Sequence, residues 1–227
     1  MSWHDVRLVV FDLDGTLVDS VVDLANAVND AILRLEPGAE PLPLERVRAY
    51  IGNGARRLMT RSLDAARVEI DVEASLSTFL ECYRRRMLET TRLYPGVGEA
   101  LARMSGRPLA VLTNKPGEMS RAILEGLGVA HHFVRILGGG DGPAHKPDPA
   151  GLRLLMAESH ALPEETVMVG DSAIDVDTAR AAGALAVGVT YGFAPEGLRA
   201  SQPDRLIDDL RRLPDLIAPE RTPTVLG

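Results

Sequence analysis

The sequence is poor in cysteine, lysine and aromatic residues. Its one cysteine, Cys82, excludes an internal disulfide, so a reducing cytoplasm is the expected compartment. Net charge is −7 and the sequence pI is about 5.3. A nucleic-acid footprint needs a basic stripe, and docking on anionic lipid needs the same sign, so neither partner is expected. No apolar run reaches the length of a membrane span. The opening MSWHDVR lacks a charged-then-apolar signal segment. Lysine is the most informative scarcity: of 25 Lys and Arg residues, only Lys115 and Lys146 are lysines. A compact ammonium does what the planar fork of Arg cannot copy, so both positions are candidate functional sites.

What is present suits a packed α/β protein. The chain has 227 residues, 45% of them hydrophobic, enough for one sizeable core or a core with a smaller companion. Apolar runs without alternation at 7–11, 109–113, 133–137, 166–170 and 184–189 read as buried strands. Helical segments lie between the later ones, and this alternation predicts a doubly wound, mostly parallel sheet. Residues 19–91 break the pattern. A helix starts near Ser20, with Asp19 and Ser20 as caps, and carries Leu24, Val28, Ala31 and Leu35 on one face. EPGAEPLPLE at 36–45 ends it. A later stripe of Leu76, Phe79, Leu80, Tyr83 and Met87 reads as core, and Arg84–Arg86 as a solvated face. The expected organisation is therefore an α/β core over 1–18 and 92–227, with an all-helical insert over 19–91. The tail ERTPTVLG has no periodicity and is expected to fray. GGGDG at 138–142 lacks the Gly-Lys-Ser/Thr ending of a nucleotide loop and reads as a flexible connection. His131 and His132 read as a helix end.

The stretch RLVVFDLDGTLVDS at 7–20 places Asp12 and Asp14 one residue apart after a buried strand. Asp-Gly is ordinary turn chemistry, but a turn does not require Asp12. In open α/β sheets ligands bind beyond the carboxyl ends of the strands. Three more polar groups fall there: Thr113-Asn114-Lys115, then Lys146 in AHKPDP, then Asp171, Ser172 and Asp175 in GDSAID. Several carboxylates at one edge cannot all stay charged unless a cation joins them. Oxygen ligands without clustered His or Cys point to Mg²⁺. Thr113 and Lys146 suit an anion such as phosphate. Paired carboxylates can then divide the work, one attacking phosphorus and the other moving the proton.

DLDGT, TNK, the Lys before PDP, and GDSAID resemble the four ordered motifs of the haloacid dehalogenase superfamily. The resemblance implies a Rossmann-like core and Asp12 as a nucleophile that also meets Mg²⁺. It implies Asp14 as general acid/base, giving the metal its backbone carbonyl, and Asp171 as a further metal ligand. Thr113, Asn114 and Lys146 would hold phosphate, with Thr16, Ser172 and Asp175 as supports. A carboxylate at Asp14 is what the dehalogenases proper lack, so phosphoryl transfer is implied rather than carbon–halogen cleavage. The insert resembles the superfamily's helical cap. IGNGARRL at 51–58 would then supply Gly52, Asn53, Gly54 and Arg57 to the substrate, with Arg56 or Arg57 pairing a carboxylate. RAYIGNGARRL, LTNKP, HKPDP and VTYGF are similar to the phosphoglycolate phosphatase branch, which implies a small phosphate ester as partner and a monomer or homodimer. A phosphomutase, a pyrophosphatase and a phospho-Asp receiver module are the alternatives.

Overall fold

The structure is a computed structural model that describes residues 3–218. Strand β1, Leu8–Phe11, is wholly buried and lies at the middle of the main sheet. β2, Val18–Asp19, leads into four helices: α1, Val21–Leu35; α2, Leu44–Arg48; α3, Ala55–Ala66; and α4, Val72–Arg86. β3, Arg92–Leu93, returns from them and pairs antiparallel with β2. The remaining elements alternate: α5, Val97–Arg103; β4, Leu109–Pro116; α6, Gly117–Gly126; β5, Arg135–Gly139; α7, Ala150–Glu158; β6, Thr166–Gly170; α8, Ala173–Ala182; β7, Leu185–Val189; α9, Pro195–Ala200; β8, Arg205–Ile207; and α10, Leu213–Leu216.

The six-stranded sheet runs β5-β4-β1-β6-β7-β8, and every pair in it is parallel. Parallel strands covered on both faces must be apolar on both sides. Val9 and Phe11 of β1 join one core with Val111, Val169 and Val187. Leu8 and Val10 join the other, with Ala110, Leu112, Met168 and Ala186. Each Val, Leu, Phe and Met among them contributes about 1.5–3 kcal/mol of burial energy. The chain winds one way from β1 through β4 to β5, then the other way from β6 to β8. The reversal falls between β1 and β6, where a doubly wound sheet opens its ligand crevice.

The helical block has its own packing logic. Val21, Leu24, Ala25, Val28, Ala31 and Ile32 of α1 are buried. They face α4, where Phe79 and Tyr83 stack with centroids 5.7 Å apart. Leu76 and Leu80 only pack against the rim of that core. Cys82 is buried as well. Arg86 departs from the solvated face expected of it: it is half-buried and donates to Asp30 of α1. Asp23 is fully buried and accepts from Thr90 and Thr91 through backbone N–H and hydroxyl groups, fastening the start of α1 to the return segment.

Two local expectations are corrected, at Ser20 and at 138–142. Ser20 occupies the N-cap position of α1 without capping it; its hydroxyl donates to Asp14 Oδ1 (2.5 Å). Gly138 and Gly139 belong to β5 rather than to a flexible connection, because they let that strand press on the β4 end. A Cβ on Gly139 would lie 2.7 Å from the Asn114 carbonyl oxygen. His131 and His132 close a single 3₁₀ turn, Ala130–His132. The tail at 220–227 lies outside the described residues. No helix among the described residues is long and apolar enough to cross a membrane.

Candidate active site

Every core residue singled out by sequence pattern, apart from Lys146, lies within or just beyond the carboxyl ends of β1, β4 and β6; Lys146 follows β5 in its loop. Asp12 follows β1 and donates its backbone N–H to Val169 of β6 (2.9 Å), which fixes it at the switch point. Asp171 follows β6. Asp175 stands in the first turn of α8, where its Oδ2 accepts from the backbone and hydroxyl of Ser172 (3.1 and 2.7 Å). One oxygen each from Asp12, Asp171 and Asp175 falls within 4.8 Å of the others, and all three residues are buried.

Lys146 is the counter-charge of this group. Its Nζ donates to Asp175 Oδ1 (2.7 Å) and lies 2.8 Å from Asp12 Oδ1. The Asp12 contact has ion-pair distance but poor alignment, so that buried oxygen keeps no aligned donor. Burial would lower the ammonium's pKa, but Asp12 and Asp175 outweigh it and hold Lys146 above its ordinary value. One lysine does not balance three carboxylates. Burial, with Asp175 adding and Lys146 opposing, pushes Asp12 up to about 6. Burial again, then Asp175 and Asp12, raises Asp171 well above the carboxylate range, although the Phe193 N–H donates to its Oδ2 (2.6 Å). Buried carboxylates this close repel one another, and a cation among them would relieve that repulsion. Asp175 has both oxygens committed, to Lys146 and Ser172. Asp12 and Asp171 are therefore the better donors, with Asp175 behind them. Gly15, at φ +85°, and Gly192 close over Asp171; a Cβ on either would lie 2.2 Å from an Asp171 side-chain atom.

A match to the family model of haloacid dehalogenase-like hydrolases covers residues 9–189 and so includes all four carboxylates and both lysines. The chain belongs to the haloacid dehalogenase-like hydrolases. Its relatives include the phosphoglycolate phosphatase of Pseudomonas putida, 42% identical over 91% of this chain and 78% of that protein. That of Vibrio parahaemolyticus is 38% identical over 96% of this chain and 99% of the other. Among solved structures, a predicted phosphoglycolate phosphatase from Haemophilus somnus is 34% identical, with a TM-score of 0.88 over 93% of this chain and 98% of that one. The chain sits among the phosphatases of the family, and its fold is theirs.

In this haloacid dehalogenase-like hydrolase a cavity opens between the β4 end and the helical block. Asp12, Asp14, Thr113, Asn114 and Lys115 line its core side. Leu24, Ile51, Gly52, Gly54, Ala55, Leu58, Phe79 and Tyr83 line the other side. Asn114 ties the two together. Its amide donates to the Gly52 and Lys146 carbonyls (3.1 and 3.0 Å), and its Oδ1 accepts from Lys146 N–H (2.8 Å). Thr113 is buried and its Oγ1 accepts from Lys115 N–H (3.3 Å). Thr16 is buried, its carbonyl accepts from the Tyr191 hydroxyl (2.8 Å), and its own hydroxyl finds no partner among the described residues. Asp14 faces away from the three-carboxylate group, toward Ser20 and Lys115.

Gly52 and Gly54, at φ +107° and +84°, bring backbone to the cavity. Asn53 and Arg57 are not among its lining. Arg57 is exposed and donates to Asn53 Oδ1 (3.3 Å), while Arg56 is exposed and paired with Glu73. Sequence reasoning did not foresee Tyr83, Phe193 or Arg48 near the site. Tyr83 was legible only as one member of an apolar stripe. Arg48 of α2 reaches across to donate to the Gly192 carbonyl (3.1 Å), beside Asp171.

Proposed function

We propose that this enzyme hydrolyses 2-phosphoglycolate to glycolate and phosphate through a phosphorylated Asp12. The observation that carries the reading is Asp12 itself: a buried carboxylate at the switch point, 2.8 Å from Lys146 and sharing a cavity with Asp14. The relatives named phosphoglycolate phosphatase supply the substrate. Thr113, Asn114 and Lys146 hold the phosphoryl group, and Asp12 Oδ forms the new bond to phosphorus as the ester P–O bond breaks. Asp14 gives its proton to the departing glycolate oxygen. It then takes a proton from the water that attacks phosphorus, releasing phosphate and restoring Asp12. Asp12, Asp171 and the Asp14 carbonyl, with Asp175, Ser172 and Thr16 in support, would hold Mg²⁺, which would supply charge neutralisation for the phosphoryl oxygens. The helical block over 19–91 acts as a cap on the core formed by 1–18 and 92–227, and excludes water from the cavity. Gly52 and Gly54 form its inner loop, with Asn53 between them and Arg57 following in the first turn of α3.

The test is phosphate release from a panel headed by 2-phosphoglycolate, with Mg²⁺ and with chelator, for the wild type and Asp12→Asn. Metal-dependent release that prefers 2-phosphoglycolate and disappears in the variant is expected. Release from other esters with that substrate inert would overturn the substrate. Isomerised sugar phosphate in place of free phosphate would overturn hydrolysis.

A further inference from the structure

Two lysines survive in a chain that otherwise uses arginine, and the proposed mechanism employs one. Lys115 is as buried as Lys146: their side chains are 4% and 2% exposed. Its Nζ donates to both Asp14 oxygens (3.0 Å each) and to the Tyr83 hydroxyl (2.6 Å), and sits 4.4 Å from the Tyr83 ring centre. Among the residues lining the cavity it is the one cation. The wall facing it is largely apolar, with Leu24, Ile51, Leu58 and Phe79.

We propose that Lys115, with the Tyr83 hydroxyl, is the specificity-determining pair that binds the carboxylate of the substrate's leaving group. This rests on the phosphoglycolate reading above and deepens it. The two lysines divide a substrate that has two anionic groups. Lys146 stands at Asp12, where phosphorus is attacked, and Lys115 stands at Asp14, where the ester oxygen leaves. In 2-phosphoglycolate one methylene separates the ester oxygen from the carboxylate. The group that protonates that oxygen and the group that binds the carboxylate must then be neighbours, and Asp14 and Lys115 are in contact. Donor arithmetic agrees. Two of the Lys115 contacts go to a single carboxylate, so one N–H can pass to an incoming anion while the pair stays intact. The Tyr83 oxygen accepts from Lys115, which leaves its O–H as a donor. Burial, followed by Asp14 and Asp23, raises Tyr83 well above its ordinary value, so that proton is retained. An anion here meets a buried ammonium and a hydroxyl donor, whereas an uncharged alkyl group gains nothing from them.

The experiment compares kcat/KM for 2-phosphoglycolate and for ethyl phosphate, in which a methyl group replaces the carboxylate. Wild type, Lys115→Met, Lys115→Arg and Tyr83→Phe are measured with Mg²⁺. The preference for 2-phosphoglycolate is expected to fall about 100-fold in Lys115→Met and several-fold in Tyr83→Phe, with Lys115→Arg between them. Inhibition by glycolate is expected to weaken in parallel, while inhibition by inorganic phosphate persists. An equal loss on both substrates, with glycolate inhibition unchanged, would make Lys115 a positioning residue for Asp14 and overturn the proposal. If Lys115→Met does not fold, Tyr83→Phe and Lys115→Arg decide, since both keep the Asp14 partner. A wild type without preference for 2-phosphoglycolate would instead overturn the substrate reading, and this inference with it.

Discussion

Asp12 and Asp23 are both buried aspartates, and their surroundings move them in opposite directions. Asp12, raised by burial from 3.8 to about 6, binds its proton more tightly in the folded protein than in the unfolded chain. Its contribution to stability is complete below about pH 4 and lost as pH rises through about 6. Without divalent cation at pH 8, Asp12→Asn is therefore expected to be more stable than wild type by about 3 kcal/mol. That margin should vanish near pH 4, as urea unfolding across the series would reveal. A variant less stable at every pH would contradict the strain assigned to the site. Burial also presses on Asp23, but the hydrogen bonds from Thr90 and Thr91 outweigh it and hold the carboxyl below its ordinary value. The sign is reversed: this contribution is present above about pH 4 and lost as pH falls through the folded-state value. Asp23→Ala should cost about 3 kcal/mol at pH 7 and less at pH 3. Equal penalties at the two values would mean that packing, not charge, is what the residue supplies.

The turns after β1 and β7 matter at the scale of elements. Gly15, in the turn after β1, combines φ +85° with a Cβ position 2.2 Å from Asp171 Oδ2. Gly15→Ala is expected to displace Asp171, with loss of turnover by about 100-fold or more and weaker Mn²⁺ binding by calorimetry, while circular dichroism stays that of the wild type. Unchanged cation affinity would show that the turn tolerates a side chain. The strands that carry the site are legible because strands buried on both faces are unbroken apolar runs: 166–170 is β6 to the residue, 7–11 and 184–189 each start one residue early, 109–113 stops three residues short of the end of β4, and 133–137 lies two residues ahead of β5, because polar or glycine residues end those two strands. β2 and β3 were not legible, since two-residue strands carry no periodicity, and β8 is short and half exposed. The motif residues were readable because their polarity is out of place at strand ends. Tyr83 was not, because a helix stripe reports that a face is buried but not what its hydroxyl meets. Arg56 and Arg57 show the converse: a loop pattern suggests contact, but the helix phase of α3 turns both side chains outward.

For the whole molecule, the β2–β3 ladder, Asn114 with Gly52, and Arg48 with Gly192 are contacts through which the helical block and the sheet edge enclose one cavity. A cation that relieves the carboxylates binds the folded state alone, so it must raise the melting temperature. Mg²⁺ at a concentration 100 times its Kd should add about 2.7 kcal/mol to wild type, and little to Asp171→Asn. Equal stabilisation of both would place the ion elsewhere. The proposed reaction turns on the transfer of phosphorus to Asp12. It is tested most directly by quenching the enzyme during turnover of 2-phosphoglycolate, reducing any acyl phosphate with borohydride, and locating the modified residue by peptide mass spectrometry. Reduction at Asp12 in proportion to enzyme in turnover, and none without substrate, is expected. Sustained phosphate release with Asp12 unmodified at every quench time would contradict it.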